Sequence, residues 1–249
     1  MNLLIDFGNT RCKWAVSTID GLQGVSAHQY THKEITLRAE EITQVINFAE
    51  FKQIHIVSVL GETFEQVFKQ KLASLANSEI IFHRSQKTQY GVTLSYDQVQ
   101  TYGVDRYAAL VAAHHQMAGH KIVIDCGTAT TIDVINEDGV HAGGLIMPGV
   151  GLMVEMLANK ATGIPMSDTT MAVKLLCDNT EQAVTSGCMS LAHYGVNGII
   201  EALIQQVKIE THVFITGGAS QLIQLEPCVN ANYVYRPHLV LEGIQVMQN

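Results

Sequence analysis

The sequence predicts an α/β protein made of two similar halves, each a mixed sheet with flanking helices. Three observations carry that prediction. A short apolar run opens into an Asp-x-Gly turn with a threonine at Asp6, Gly8 and Thr10. The same pattern returns at Asp125, Gly127 and Thr128, close to half a chain later, as expected of an internal duplication rather than a short-period repeat array. Short strand-like runs alternate with stretches of helical apolar spacing, and no linker, low-complexity tract or charge block interrupts them.

The elements follow in order. Leu3-Leu4-Ile5 and Trp14-Ala15-Val16 flank Asp6-Phe7-Gly8-Asn9-Thr10, which fits two strands joined by a tight polar turn, with Gly8 permitting a backbone conformation that other residues resist. A strand at 54–60, a helix at 63–76 and a strand at 80–83 come next. Residues 104–117 are apolar at helical spacing and stop at Gly119. Ile122-Val123-Ile124 leads into Asp125-Cys126-Gly127-Thr128-Ala129-Thr130, and Ile132-Asp133-Val134-Ile135 follows. Further strands are expected around Val134 and at 144–147, with helices at 151–157 and 180–207. The buried run Val213-Phe214-Ile215 opens into Thr216-Gly217-Gly218. The expected domains are residues 1–118 and 119–249.

Composition narrows the function. Of 249 residues, 47% are hydrophobic and 15% charged, against about 25% charged in ordinary globular proteins. That shortfall predicts a surface partly covered by a second copy. A net charge of −8 repels nucleic acid and anionic membrane, so neither is an expected partner. The same charge repels polyphosphates and carboxylates at long range, so an anion site has to be local, built from backbone N–H groups, a few basic residues or a cation. Cys12, Cys126, Cys177, Cys188 and Cys228 show no CxxC pair and suit reduced thiols in a cytosol. The first residues lack a basic region and Asp6 breaks their apolar run, which does not read as a signal peptide. A cytoplasmic location is therefore expected.

The chemistry concentrates in the turns. Where turn N–H groups converge beside a hydroxyl and a carboxylate, phosphate and Mg²⁺ are well served. Asn9 and Thr10 can donate to phosphate oxygens, Asp6 can hold the metal, and Arg11 and Lys13 carry the matching charge; an ordinary β-hairpin is the competing reading. The second copy supplies another carboxylate and more hydroxyls, so that the two loops would face each other across a cleft. Gly217-Gly218 would let a flat ligand approach the backbone, or mark a simple strand-to-helix turn. No P-loop, dinucleotide fingerprint, protein-kinase set, GxSxG or HExxH is present. Asp105 opens the 104–117 helix, where an aspartate commonly caps and complements the dipole. His114 and His115 read as structural or surface residues, Met147, Met153 and Met156 as core or interface packing, and Tyr90, Tyr96 and Tyr102 can likewise be packing residues.

In this order the loops resemble the phosphate and adenosine motifs of the actin-like, acetate-and-sugar-kinase ATPase superfamily, whose halves are ribonuclease H-like. With Gly103-Val104-Asp105-Arg106, Asp125 through Asp133, Gly143-Gly144-Leu145-Ile146-Met147-Pro148-Gly149 and Thr216-Gly217-Gly218, the whole chain resembles the type III pantothenate kinase family. The resemblance implies ATP-dependent phosphorylation of pantothenate, the opening step of coenzyme A synthesis. It implies that Asp6, Phe7, Gly8, Asn9, Thr10, Arg11, Cys12 and Lys13 form the ATP phosphate loop, with Mg²⁺ near Asp6. Asp105 would be the general base, and Tyr96, Gly103, Val104, Asp105, Arg106 and Thr180 would contact pantothenate. Asp125 would hold a monovalent cation, K⁺ or NH₄⁺, and Thr128 would contact ATP. The family often carries a proline between the tyrosine and the GxDR segment; Asp97 to Tyr102 has none. A homodimer is expected, with the apolar helix after Asp105 at its interface; burial of that helix within the monomer is the alternative. Other small-molecule kinases of the same fold, a nucleotide-binding regulator and an ATP-driven switch are the competing functions.

Overall fold

The run at Leu3 becomes the central strand of a five-stranded sheet in a computed structural model that describes residues 1–166 and 172–249. In chain order the first elements are β1 (Asn2–Phe7), β2 (Arg11–Thr18), β3 (Gly21–Gln29), α1 (Ile35–Val45), β4 (Gln53–Ser58), α2 (Glu62–Ala73), β5 (Glu79–Phe82), β6 (Thr88–Gln89), β7 (Val92–Thr93) and α3 (Val104–Gln116). Then come β8 (His120–Cys126), β9 (Ala129–Ile135), β10 (His141–Pro148), α4 (Val150–Lys160), α5 (Thr180–Val207), β11 (Thr211–Thr216), β12 (Ala231–Tyr235) and α6 (Leu239–Met247). Two compact units result. The first takes Met1–Met117, Asp138–His141 and His238–Asn249; the second takes Ala118–Glu137 and Ala142–Pro237. A single boundary at 118 was expected from sequence, whereas the first unit also takes in residues 138–141 and the C-terminal helix.

The first unit's sheet runs β3-β2-β1-β4-β5 and the second unit's runs β10-β9-β8-β11-β12, the same order. In each, the central strand is antiparallel to the hairpin strand that follows it and parallel to the crossover strand beyond. This is the duplication expected from the repeated Asp-x-Gly turn. It comes with a mixed sheet because hairpins give antiparallel pairs and helical crossovers give parallel ones.

Alternation along β1 explains how the first unit is layered. Leu3, Ile5 and Phe7 join Ile54 and Ile56 against Ala39 and Ile42 of α1 and Phe64, Phe68 and Leu72 of α2. Phe7 meets Phe64 and Phe68 edge-on at 4.8 and 4.9 Å between ring centroids, a favoured aromatic geometry. α3 and α6 also pack on this sheet and, closely, on each other. A Cβ on Gly243 would meet the Ala108 carbonyl oxygen, so only glycine allows this approach. α3 buries Val104 and every residue from Arg106 to Ala113. The apolar excess of this helix is thus used inside the first unit, which corrects its expected place at a dimer interface: α6 supplies the second apolar partner that the sequence reading assigned to another copy.

In the second unit, Ile122, Ile124 and Cys126 of β8 with Val213 and Ile215 of β11 pack on Val196, Ile200 and Ile204 of α5. α4 adds Val150 and Val154 against Cys188 and Met189 of α5. Asn179 caps α5, its side chain accepting the Gln182 N–H at 2.9 Å, and Lys208 ends it in a left-handed conformation. Among the described residues no helix is long and apolar enough to cross a membrane.

Candidate active site

In the first unit the turn from β1 to β2 lies at the carboxyl end of β1, the end at which parallel-type sheets receive ligands. The Gly8 N–H donates to the Arg11 carbonyl at 3.0 Å and closes the turn. Asn9, Thr10 and Arg11 are exposed at its tip. Asp6 is 8% exposed and sits opposite Lys13 across the β1–β2 ladder, so the two side chains share one face of the sheet. Phe7 and Cys12 point into the core, and any contact they make with a ligand has to come from their backbone. Burial first, then the negative charge of Asp6, pushes the Cys12 thiol well up, so this cysteine is an inert packing residue.

The segment before α3 forms a second constellation in the same unit. Gly103 precedes α3 and its own side chain is absent for a reason: a Cβ there would crowd Asp105 Oδ1 at 2.6 Å. Gly103 holds the cap position without a side-chain bond, and Asp105, in the first turn, serves the helix start by accepting the Arg106 N–H through Oδ1 at 2.8 Å. Arg106 is buried, with its guanidinium 4.5 Å from the centre of the Tyr102 ring, a cation–π stack. Tyr96 packs edge-on against Tyr102 at 4.9 Å. His141, 1% exposed, lies 5.2 Å from Tyr102 and 6.0 Å from Tyr96. Ser95 Oγ and His141 Nδ1 are 3.1 Å apart. The structure therefore brings Tyr96, Gly103, Asp105 and Arg106 to one place. It adds Ser95, Tyr102 and His141, which the sequence reading left as packing or did not single out; a lone histidine before a Gly-Gly pair gives no signal of its own.

In the second unit, Asp125 is the penultimate residue of β8, directly beside Thr216 of β11. The Ala219 N–H donates to the Cys126 carbonyl at 2.9 Å and the Gly149 N–H to the Thr128 carbonyl at 3.0 Å. Gly217, at φ 94°, lies so close that a Cβ would strike Asp125 Oδ1 and the Cys126 carbonyl at 2.4 Å. A Cβ on Gly149 would meet the Gly127 and Thr128 carbonyls at 2.4 and 2.7 Å. Of the two glycine-bearing loops foreseen in this half, the one at Gly217 thus closes on Asp125, while Gly149, after the strand expected at 144–147, closes on Gly127 and Thr128, and Thr128 is exposed. Burial, and secondarily the Asp125 charge, pushes the Cys126 thiol up to about 12. Thr180 is exposed at the first turn of α5 in the same unit. Among the described residues no three His, Cys, Asp or Glu side chains gather as a metal cluster.

Comparison with known proteins places these features in a family. The model of type III pantothenate kinases matches residues 2–205. A type III pantothenate kinase of Nitrosococcus oceani is 30% identical, covering 98% of this chain and 92% of its own. One of Azoarcus sp. is 31% identical, covering 99% and 90%. Among solved structures, a Campylobacter jejuni protein described as a Baf family transcriptional activator is similar with a TM-score of 0.59 at 20% identity, over 99% of this chain and 97% of that one. The ethanolamine utilization protein EutJ of Carboxydothermus hydrogenoformans follows with a TM-score of 0.55 at 14% identity, over 98% and 88%. At those identities the two structures speak for the fold alone.

Proposed function

This chain belongs to the type III pantothenate kinase family, and on that premise we propose that it transfers the γ-phosphoryl group of ATP to the primary hydroxyl of pantothenate, the first step of coenzyme A synthesis. The observation that carries the reading is the family match over residues 2–205. The arrangement around Asp105 supports it. In this reading the pantothenate hydroxyl oxygen attacks the γ-phosphorus, the bond to the β–γ bridging oxygen breaks, ADP leaves, and the hydroxyl proton passes to the Asp105 carboxylate. A loose phosphoryl-transfer transition state asks mainly for positioning. The bond from the Arg106 N–H to Asp105 Oδ1 at 2.8 Å supplies that by fixing one carboxylate oxygen.

The proposed roles of the other residues follow their chemistry. In the first unit the 6–13 turn takes the ATP phosphates, through its backbone, the Asn9 and Thr10 side chains, and the Arg11 and Lys13 charges. Tyr96, Gly103, Val104 and Arg106 take pantothenate, whose carboxylate suits a guanidinium already oriented by Tyr102. In the second unit Thr128 contacts ATP, Thr180 contacts pantothenate, and Asp125 holds K⁺ or NH₄⁺. The donors beside Asp125 are oxygens, its own carboxylate and the Cys126 carbonyl, and these fit a hard cation; the Asp6 carboxylate fits Mg²⁺ shared with phosphates. Such cations, when bound, neutralise phosphate charge. The enzyme is further proposed to work in the cytoplasm as a homodimer, without nucleic acid or membrane partners.

Replacing Asp105 with Asn keeps the shape and the acceptor for Arg106 and removes the base. Turnover is expected to fall by about a hundredfold or more with the thermal midpoint unchanged. Near-normal turnover in the folded variant would remove Asp105 from the role.

A further inference from the structure

Two hydrogen bonds reach the tip of the 6–13 turn from outside its own hairpin. Arg38, on α1, donates from Nη1 to the Asn9 carbonyl at 3.2 Å and from Nε to the His32 carbonyl at 2.9 Å. Its guanidinium also lies 4.9 Å from the centre of the Tyr30 ring. The Tyr30 N–H donates to the Thr10 carbonyl at 3.2 Å. One turn further along α1, Glu41 anchors the same connecting segment. Its carboxylate accepts the Thr31 N–H at 3.1 Å, the Thr31 hydroxyl at 2.7 Å and the His32 N–H at 3.0 Å, and meets His28 Nε2 at 2.9 Å. Burial raises this carboxyl, but the bonds from Thr31, His28 and His32 outweigh that and hold it down to about 2. Glu41 is therefore an anion at every physiological pH.

The arrangement has a direct physical consequence. A trans peptide is planar, with its C=O and N–H pointing opposite ways. A donor that fixes the Asn9 carbonyl therefore fixes the direction of the Thr10 N–H. The guanidinium is suited to this because its donors form a rigid planar fork; here two of them span carbonyls from two different loops while its face rests on an aromatic ring. A lysine ammonium has neither the plane nor the fork.

We propose that Arg38 is a positioning residue for the phosphates of the nucleotide. By tying the Asn9 carbonyl to α1 it sets the peptide orientation at the tip of the phosphate loop and brings a fixed positive charge beside it, with Tyr30 and Glu41 holding the clamp in place. The inference rests on the reading of the 6–13 turn as the phosphate loop.

The test is calorimetric binding of ATP, ADP and adenosine to the full-length protein, alongside steady-state kinetics, for Arg38→Met and Arg38→Lys, with Thr10→Val and Lys13→Met as the controls for the loop itself. Arg38→Met is expected to weaken ATP and ADP about tenfold, to leave adenosine within twofold, and to raise the KM for ATP while the KM for pantothenate stays put. Arg38→Lys is expected to recover less than half of the loss, because charge alone does not orient the carbonyl. Arg38→Lys also serves should Arg38→Met not fold. Full recovery by lysine would overturn the clamp in favour of simple charge, and unchanged ATP affinity in Arg38→Met would overturn the proposal outright. A loss shared equally by adenosine would mean a general structural role and would overturn it too. If Thr10→Val and Lys13→Met both leave ATP and ADP affinity unchanged, the phosphate-loop reading itself fails, and the clamp fails with it.

Discussion

His55 and His83 lie side by side in the first unit, 2% and 9% exposed, with His55 Nδ1 3.1 Å from His83 Nε2 and the rings stacked at 5.3 Å. Burial, and secondarily the neighbouring imidazole, lowers His83 to about 4; burial lowers His55 as well, against a small opposing pull from Glu79. The sign follows from proton linkage. Above the ordinary histidine value of 6.5 both folded and unfolded chains are neutral at these positions. As pH falls from there toward 4, the unfolded chain takes up protons that the folded chain refuses, so stability is lost across that window. The Glu41 contribution is lost only below the ordinary glutamate value of 4.5. Thermal midpoints are therefore expected to decline between pH 6.5 and 4.5, and His83→Gln, which keeps a hydrogen-bonding partner for His55 without titrating, should flatten that decline. Parallel slopes for the two proteins would contradict the assignment. At Asp125 the expectation is chemical: turnover should rise with K⁺ in place of Na⁺, and Asp125→Ala should abolish the response, since a bound cation offsets the repulsion between a carboxylate and a polyphosphate. Equal rates of the native enzyme in the two salts would count against a cation at that carboxylate.

Among the elements, α3 shows how a correct helix carries a wrong expectation. Its length and apolar content were read correctly from sequence. Its partner, α6, lies more than 120 residues further on, and Gly243 gives no local sign that it exists to admit the Ala108 carbonyl. Large apolar side chains are left exposed in both units, among them a group in the second. Leu145 and Ile146 on the edge strand β10 are 47% and 64% exposed, Met156 on α4 is 52%, and Leu191 and Tyr194 on α5 are 66% and 59%. Apolar patches of this kind mark association surfaces, and a two-fold contact lets one patch serve both copies. The homodimer proposed above is therefore expected to use exposed side chains of β10, α4 and α5 rather than α3. Light scattering at assay concentration is expected to give twice the 27.2 kDa chain mass, with Leu191→Asp shifting the protein toward monomer. A monomeric mass for the native chain would contradict the dimer, and a dimer unaffected at Leu191 would move its interface.

At the scale of the molecule, the legible features were those that write themselves twice. Asp6 and Asp125 each follow a run of buried β-residues and precede a hairpin, so two sheets of equal topology could be read from two turns. α5 was read to its ends, which the structure marks with the Asn179 cap and the left-handed Lys208. β3 and α1 were not foreseen: β3 is largely exposed and lacks alternation, and α1 has no capping side chain and buries only Ala39 and Ile42. The Arg38 clamp was illegible for the same reason, since a single arginine on an unforeseen helix points nowhere until the 28–32 connection is folded against Asn9. His141 likewise gains meaning only once Tyr96, Tyr102 and Ser95 surround it. The central claim, that this fold spends ATP on one small alcohol, is tested most directly by ADP release measured by a coupled assay with pantothenate and with a panel of sugars and other hydroxy acids, in K⁺ and Mg²⁺. The account predicts ADP release that depends on pantothenate, matches phosphopantothenate formed one for one, and is near background with the other alcohols. ADP release independent of pantothenate, or faster with a sugar, would contradict it.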